Sequence, residues 1–134
     1  MDEEQKKLVD AWIKMHAAYN SDDPKHHGPD YEANFWAFET LDDMVRHEPG
    51  KAWPIILAIR SATDDDRILA NLAAGPLEDI LARHGEKFID RVETLARQDE
   101  KFLYILTGVW SRSSMSKELW TRISTVTEKS KRHM

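Results

Sequence analysis

Residues able to carry chemistry are few in this chain, and the densest group lies at one turn. Gly75-Pro76-Leu77-Glu78-Asp79 sets two carboxylates side by side, with His84 five residues on. Joined by Glu39 from elsewhere in the chain, they are of the types that hold a divalent metal or act as general acid and base. The same residues have a plainer account. Proline suits the first position of a helix, and acids in the first turn face its positive end and cap free N–H groups. The order Gly-Pro-x-Glu then follows without any ligand. His84-Gly85 is likewise expected to end a helix, with the histidine at the negative pole and the glycine in the left-handed C′ position.

Other constellations are weaker. Glu39, Asp42 and Asp43 form an acidic edge on an expected helix. Carboxylate-bridged metal bundles use Glu-x-x-His pairs, and neither Glu39 nor Glu78 has histidine at the third following position. His26-His27 falls in a polar loop with no third ligand nearby. No phosphate-binding glycine loop, nucleophile elbow or His-Glu-x-x-His motif is present. The serines at 111, 113, 114 and 116 read as turn and cap residues. No catalytic residue, metal ligand or cofactor is therefore assigned.

Five tryptophans in 134 residues are unusual. Trp12, Trp36, Trp53, Trp110 and Trp120 fall mostly on apolar stripes, where core packing is the default. Trp36 is the exception to consider. It lies between Phe35 and Phe38, and three large aromatics in four positions cannot all face one stripe. Tryptophan at the rim of a groove is a common binding hot spot. The candidate binding residues are Trp36, Glu39, Asp42, Asp43, Glu78 and Asp79.

These residues must be positioned by helices, because apolar residues recur at helical spacing almost throughout. Leu8, Val9, Trp12, Ile13, Met15 and His16 mark a first helix ending near Tyr19-Asn20. A polar loop with two prolines and a glycine, residues 20–30, is expected to be mobile. Asp30 is the expected N-cap of a second helix with Phe35, Trp36, Phe38, Leu41, Met44 and Val45 as its apolar face. A third helix is predicted from about Pro49 to Ala62, kinked or starting late because of Pro54. Thr63 then caps a helix opening on acids. Gly75 closes that helix and Pro76 opens the next, which stops at His84-Gly85. A further helix carries Phe88 to Ala96. Asp99 caps one that runs through Val109 and Trp110, and Ser116 caps the last. Residues 128–134 are expected to fray. The fold class is all-α, an irregular stack of about seven to eight short helices in antiparallel pairs, HEAT-like in layout and forming one domain over 1–134.

Composition narrows the partners. The formal net charge of −5 argues against non-specific nucleic-acid binding and suits a basic partner. There is no cysteine, hence no disulfide framework or thiol nucleophile, which fits a cytoplasmic location. No signal peptide and no membrane span is expected.

The stretches FWAFETLDDMVRHEPGKAWPIILAI, LANLAAGPLEDILARHGEKFIDRVE and TGVW resemble a family of small uncharacterised bacterial proteins, a domain of unknown function. The resemblance runs from about Leu8 to Ile123, and LAAGPLED followed by His84-Gly85 is its most specific part. It implies a bacterial or phage origin and an all-α fold, and brings no activity.

Three functions are compatible with this reading. The first is a non-enzymatic protein that docks a basic macromolecule, as an immunity protein, an antitoxin or a phage-encoded anti-defence inhibitor would. The second is a metal-dependent or acid–base enzyme using Glu39, Glu78, Asp79 and His84, which requires three of them to converge. The third is a structural homodimer that hides excess aromatic surface.

Overall fold

The computed structural model describes residues 1–19 and 28–132, with side chains through Glu128. Every regular element is helical, and no strand forms among the described residues. The order is α1 (Glu3–Tyr19), α2 (Gly28–His47), α3 (Pro49–Ala62), α4 (Asp66–Leu72), a π-helical turn (Ala73–Leu77), α5 (Glu78–Gln98), α6 (Glu100–Leu106) and α7 (Lys117–Arg132). The chain divides into two compact units, Met1–Leu72 and Ala73–Met134.

In the first unit, α1 opens on a reciprocal capping box. Asp2 Oδ1 accepts from the Gln5 N–H at 2.8 Å, and Gln5 Oε1 accepts from the Asp2 N–H at 3.0 Å. α1 and α2 lie antiparallel: the Tyr19 and Tyr31 rings stack at 6.3 Å, while Leu8 and Met44 line one groove at the other end of the pair. Trp12 and Met15 of α1 are buried with Leu41 and Val45 of α2 and with Ile55, Ile56 and Ile59 of α3. The face of α2 departs from expectation. Trp36 and Phe38 are exposed, and Ala37 between them is fully buried. Burying the small residue and displacing the rings outward suits the close approach of two helices.

Several boundaries also differ. α2 starts at Gly28, whose φ of +53° favours glycine, so Asp30 lies inside the first turn and does not cap it. Most of the expected mobile loop, with His26-His27, lies outside the described residues. α3 begins at Pro49 and runs through Pro54 to Ala62, so the late start expected from Pro54 does not occur. The donor that Pro54 lacks would have met the Gly50 carbonyl. Both residues are exposed, so water can satisfy it. The cap of α4 is Asp65, whose Oδ1 accepts from Arg67 and Ile68 N–H groups at 2.9 and 3.2 Å. Thr63 instead shapes the turn by accepting from the Asp65 N–H at 3.1 Å.

In the second unit the predicted break at Gly75-Pro76 is absent. The chain widens there into the π turn and continues as α5. A proline ring clashes with the carbonyl four residues back in an α-helix, and π winding moves that carbonyl away. α5 does not stop at His84-Gly85 either. It bends at His84, with φ −134° and ψ 25°, and continues to Gln98. Gly85 does not have a positive φ. Its role is spatial: a Cβ there would stand 2.3 Å from Leu119 Cδ2. α6 ends at Leu106, so Val109 and Trp110 belong to the following loop. The caps at Asp99 and Ser116 form as predicted, accepting from Phe102 and Leu119 N–H groups at 3.0 and 3.1 Å. Gly85 meets Leu119, and Asp90 and Glu93 meet Arg122, so α5 and α7 run in the same direction.

Candidate functional site

On α2, the acidic edge is partly spoken for. Asp42 pairs with Arg46 at 3.3 Å, and Asp43 lies 3.6 Å from His47 Nε2. Both are i,i+4 pairs within the helix, and the Asp42–Arg46 ion pair is worth a few tenths of a kcal/mol. Glu39 is exposed one turn before them. Trp36, 45% exposed, lines a groove of about 430 Å³. Leu8, Met44 and Ile55 supply its apolar lining, and Asp2 and Glu4 its acids, with Lys7 as a cation in the same wall. Asp2 is held in place there by its capping bonds.

In the second unit, Glu78 and Asp79 do not cap a helix. The chain enters α5 from the π turn already helically wound, and Leu77 before them has helical φ and ψ, so there is no free helix end to cap. Their carboxylates turn to the loop after α6. Glu78 is buried, with Oε1 accepting from the Trp110 N–H at 2.8 Å and Oε2 from Arg112 Nε at 2.6 Å. Arg112 Nη1 lies 2.6 Å from Asp79 Oδ1. Burial works against the Arg112 charge, but the two carboxylates outweigh it and hold the guanidinium pKa above its ordinary value. The loop is thereby pinned, and it carries the Trp110 side chain 75% exposed.

α7 is held to α5 by Arg122, which binds Glu93 through two nitrogens and reaches Asp90 Oδ1 at 2.6 Å. The Arg122 hydrogen bond lowers the Glu93 pKa below 4.5, against a smaller effect of burial. His16 in α1 is buried, stacks on Trp12 at 3.8 Å and places Nδ1 3.0 Å from the Trp12 carbonyl. Burial pushes its pKa below 6.5, against that hydrogen bond.

Among the described residues, no three of histidine, aspartate and glutamate gather as a metal site. Of the candidate acid–base residues, Glu39 stands on exposed α2 surface in the first unit, while in the second Glu78 and Asp79 are bound to Arg112 and His84 is at the bend of α5. Two features of this unit went unread in the sequence, the exposure of Trp110 and the pairing of Arg112. No local signal pointed to Arg112, which lies 34 residues beyond Glu78, the first of the acids it binds.

Comparison with protein families gives one result. Residues 24–131 match the Family of unknown function (DUF6869), and the chain belongs to that family. No curated protein and no solved structure matches it. Among the described residues, no helix is long and apolar enough to cross a membrane.

Proposed function

We propose that this chain is a non-enzymatic protein-binding module that docks a basic partner, as an immunity protein, an antitoxin or a phage-encoded anti-defence inhibitor does. The observation that carries this reading is the groove beside Trp36. It combines a half-exposed aromatic wall, an apolar lining and two acids, Asp2 and Glu4. A basic segment would seat an apolar side chain against Trp36 and place its cations toward Asp2, Glu4 and Glu39. Central aromatic anchors commonly contribute 2 kcal/mol or more to such interfaces, and complementary charge speeds encounter. Asp42 contributes less than its charge suggests, because Arg46 offsets it. The engagement of Glu78 and Asp79 by Arg112 gives those residues a structural role and takes support from the acid–base alternative.

The test is affinity capture from the native host with the wild-type chain, a Trp36→Ala variant and an Asp2→Lys/Glu4→Lys variant. A basic protein retained by the wild type, released by added salt and lost from both variants is the expected result. Equal retention by all three, or retention of acidic proteins only, overturns the proposal.

A further inference from the structure

A second pocket, of about 410 Å³, opens in the Ala73–Met134 unit where α5 bends. Residues 81–87 all line it, together with Ser114, Ser116 and Leu119. A straight helix turns once every 3.6 residues and cannot present seven consecutive residues to one side. The non-helical backbone at His84 lies at the middle of this stretch. Arg83 and Lys87 lie on either side of the bend and both line the pocket. Among the described residues no carboxylate pairs with either of them. Glu86 lies in the same wall, leaving two cations against one carboxylate. Across the pocket, the Ser116 hydroxyl oxygen accepts from the Leu119 N–H, which leaves its proton free to donate, and the Ser114 hydroxyl adds a second donor.

We propose that this pocket binds the phosphate group of a small phosphorylated ligand. Arg83 and Lys87 form the cationic side, and the Ser114 and Ser116 hydroxyls donate from the other. A doubly charged oxyanion in the pocket would accept charge-assisted hydrogen bonds from Arg83 and Lys87. The volume exceeds what inorganic phosphate fills, so an ester with further atoms fits. The site lies outside the Trp36 groove, and the two assignments stand or fall separately.

The test is titration of the full-length, nitrogen-15-labelled protein with inorganic phosphate, and separately with glycerol 3-phosphate, while amide resonances of residues 84–87, 114 and 116 are followed. Sodium chloride at matched ionic strength is the control. Saturable shifts at those amides are expected, with affinity about tenfold weaker in an Arg83→Gln/Lys87→Gln variant. Both side chains are exposed, so the variant should keep the parent's circular dichroism. Tighter binding of the ester assigns the ligand to phosphorylated molecules, and parity assigns it to free phosphate. Shifts that are absent, reproduced by chloride, or unchanged in the variant overturn the proposal.

Discussion

The carboxylate of Glu78 accepts a hydrogen bond from the backbone N–H of Trp110, 32 residues away, at 2.8 Å. This buried carboxylate joins the start of α5 to the loop after α6 and, with Asp79, fixes Arg112 there. Glu78→Ala should cost about 2 kcal/mol, the value of a buried charge-assisted contact reduced for the partial exposure of Arg112. Glu78→Gln should cost less. Trp110→Ala should leave stability within about 0.5 kcal/mol, as for an exposed surface site. Urea denaturation of the three variants checks this ordering, and a Trp110→Ala loss as large as that of Glu78→Ala would contradict it.

Gly85 should not tolerate a methyl group. Gly85→Ala brings Cβ against Leu119, and the strain is expected to outweigh alanine's better helix propensity of about 1 kcal/mol, for a net loss of about 1 kcal/mol. Leu119→Ala alone should cost about 2–3 kcal/mol, as it empties a buried site. The double variant should be more stable than the sum of the two losses requires, because the new methyl fills part of the space vacated. Simple additivity in a double-mutant cycle would place Leu119 elsewhere.

Acid should destabilise the fold in two stages. His16 has a folded pKa below its ordinary 6.5, so the unfolded chain binds this proton first. Its contribution is complete above about 6.5 and declines as pH falls from there toward the folded value. Glu93, held below 4.5 by Arg122, contributes above 4.5 and loses that contribution as pH falls further. His16→Gln should flatten the pH dependence of stability between 6.5 and 4.5 without removing the lower stage. Denaturation midpoints across that range measure it, and an unchanged slope would mean that His16 is not the group concerned.

Reversing Asp42 should cost more than reversing Glu39. Asp42→Lys removes the pair with Arg46 and substitutes a like charge at i,i+4, for about 0.5–1 kcal/mol. Glu39→Lys, on the exposed face without an ion pair to lose, should fall within about 0.5 kcal/mol. Thermal melts at low and high salt separate them, since only the Asp42 loss should shrink with salt.

What could be read from the sequence followed the range of the interactions. Asp99 and Ser116 were identifiable as caps because each side chain bonds an N–H three residues on, a distance fixed by the helix itself. The start of α3 at Pro49 was legible because proline's fixed φ and missing donor suit the first position of a helix. Gly-Pro suggested a break at residues 75–76, but the chain passes through as a π turn, a winding with no local signature in residue type. Gly85 looked like a helix terminator because the leucine that occupies its missing side chain's place lies 34 residues later. Trp36 was singled out because three rings could not share one stripe, and that crowding is resolved by Ala37 turning inward. Glu78 and Asp79 were conspicuous, but their partner at Arg112 could be found only through the fold.

Two attachments of different kinds determine where α7 sits along α5. Leu119 fits over the bare backbone at Gly85, and Arg122 reaches Asp90 and Glu93 further on. Sliding α7 by one turn, about 5.4 Å, would set Leu119 against residues that carry side chains and take Arg122 off its carboxylates. The steric key and the ionic latch therefore fail together, and α7 has a single seating. The segment bearing Trp110 is consequently held between two helices whose seating is fixed, and Glu78 tethers it midway.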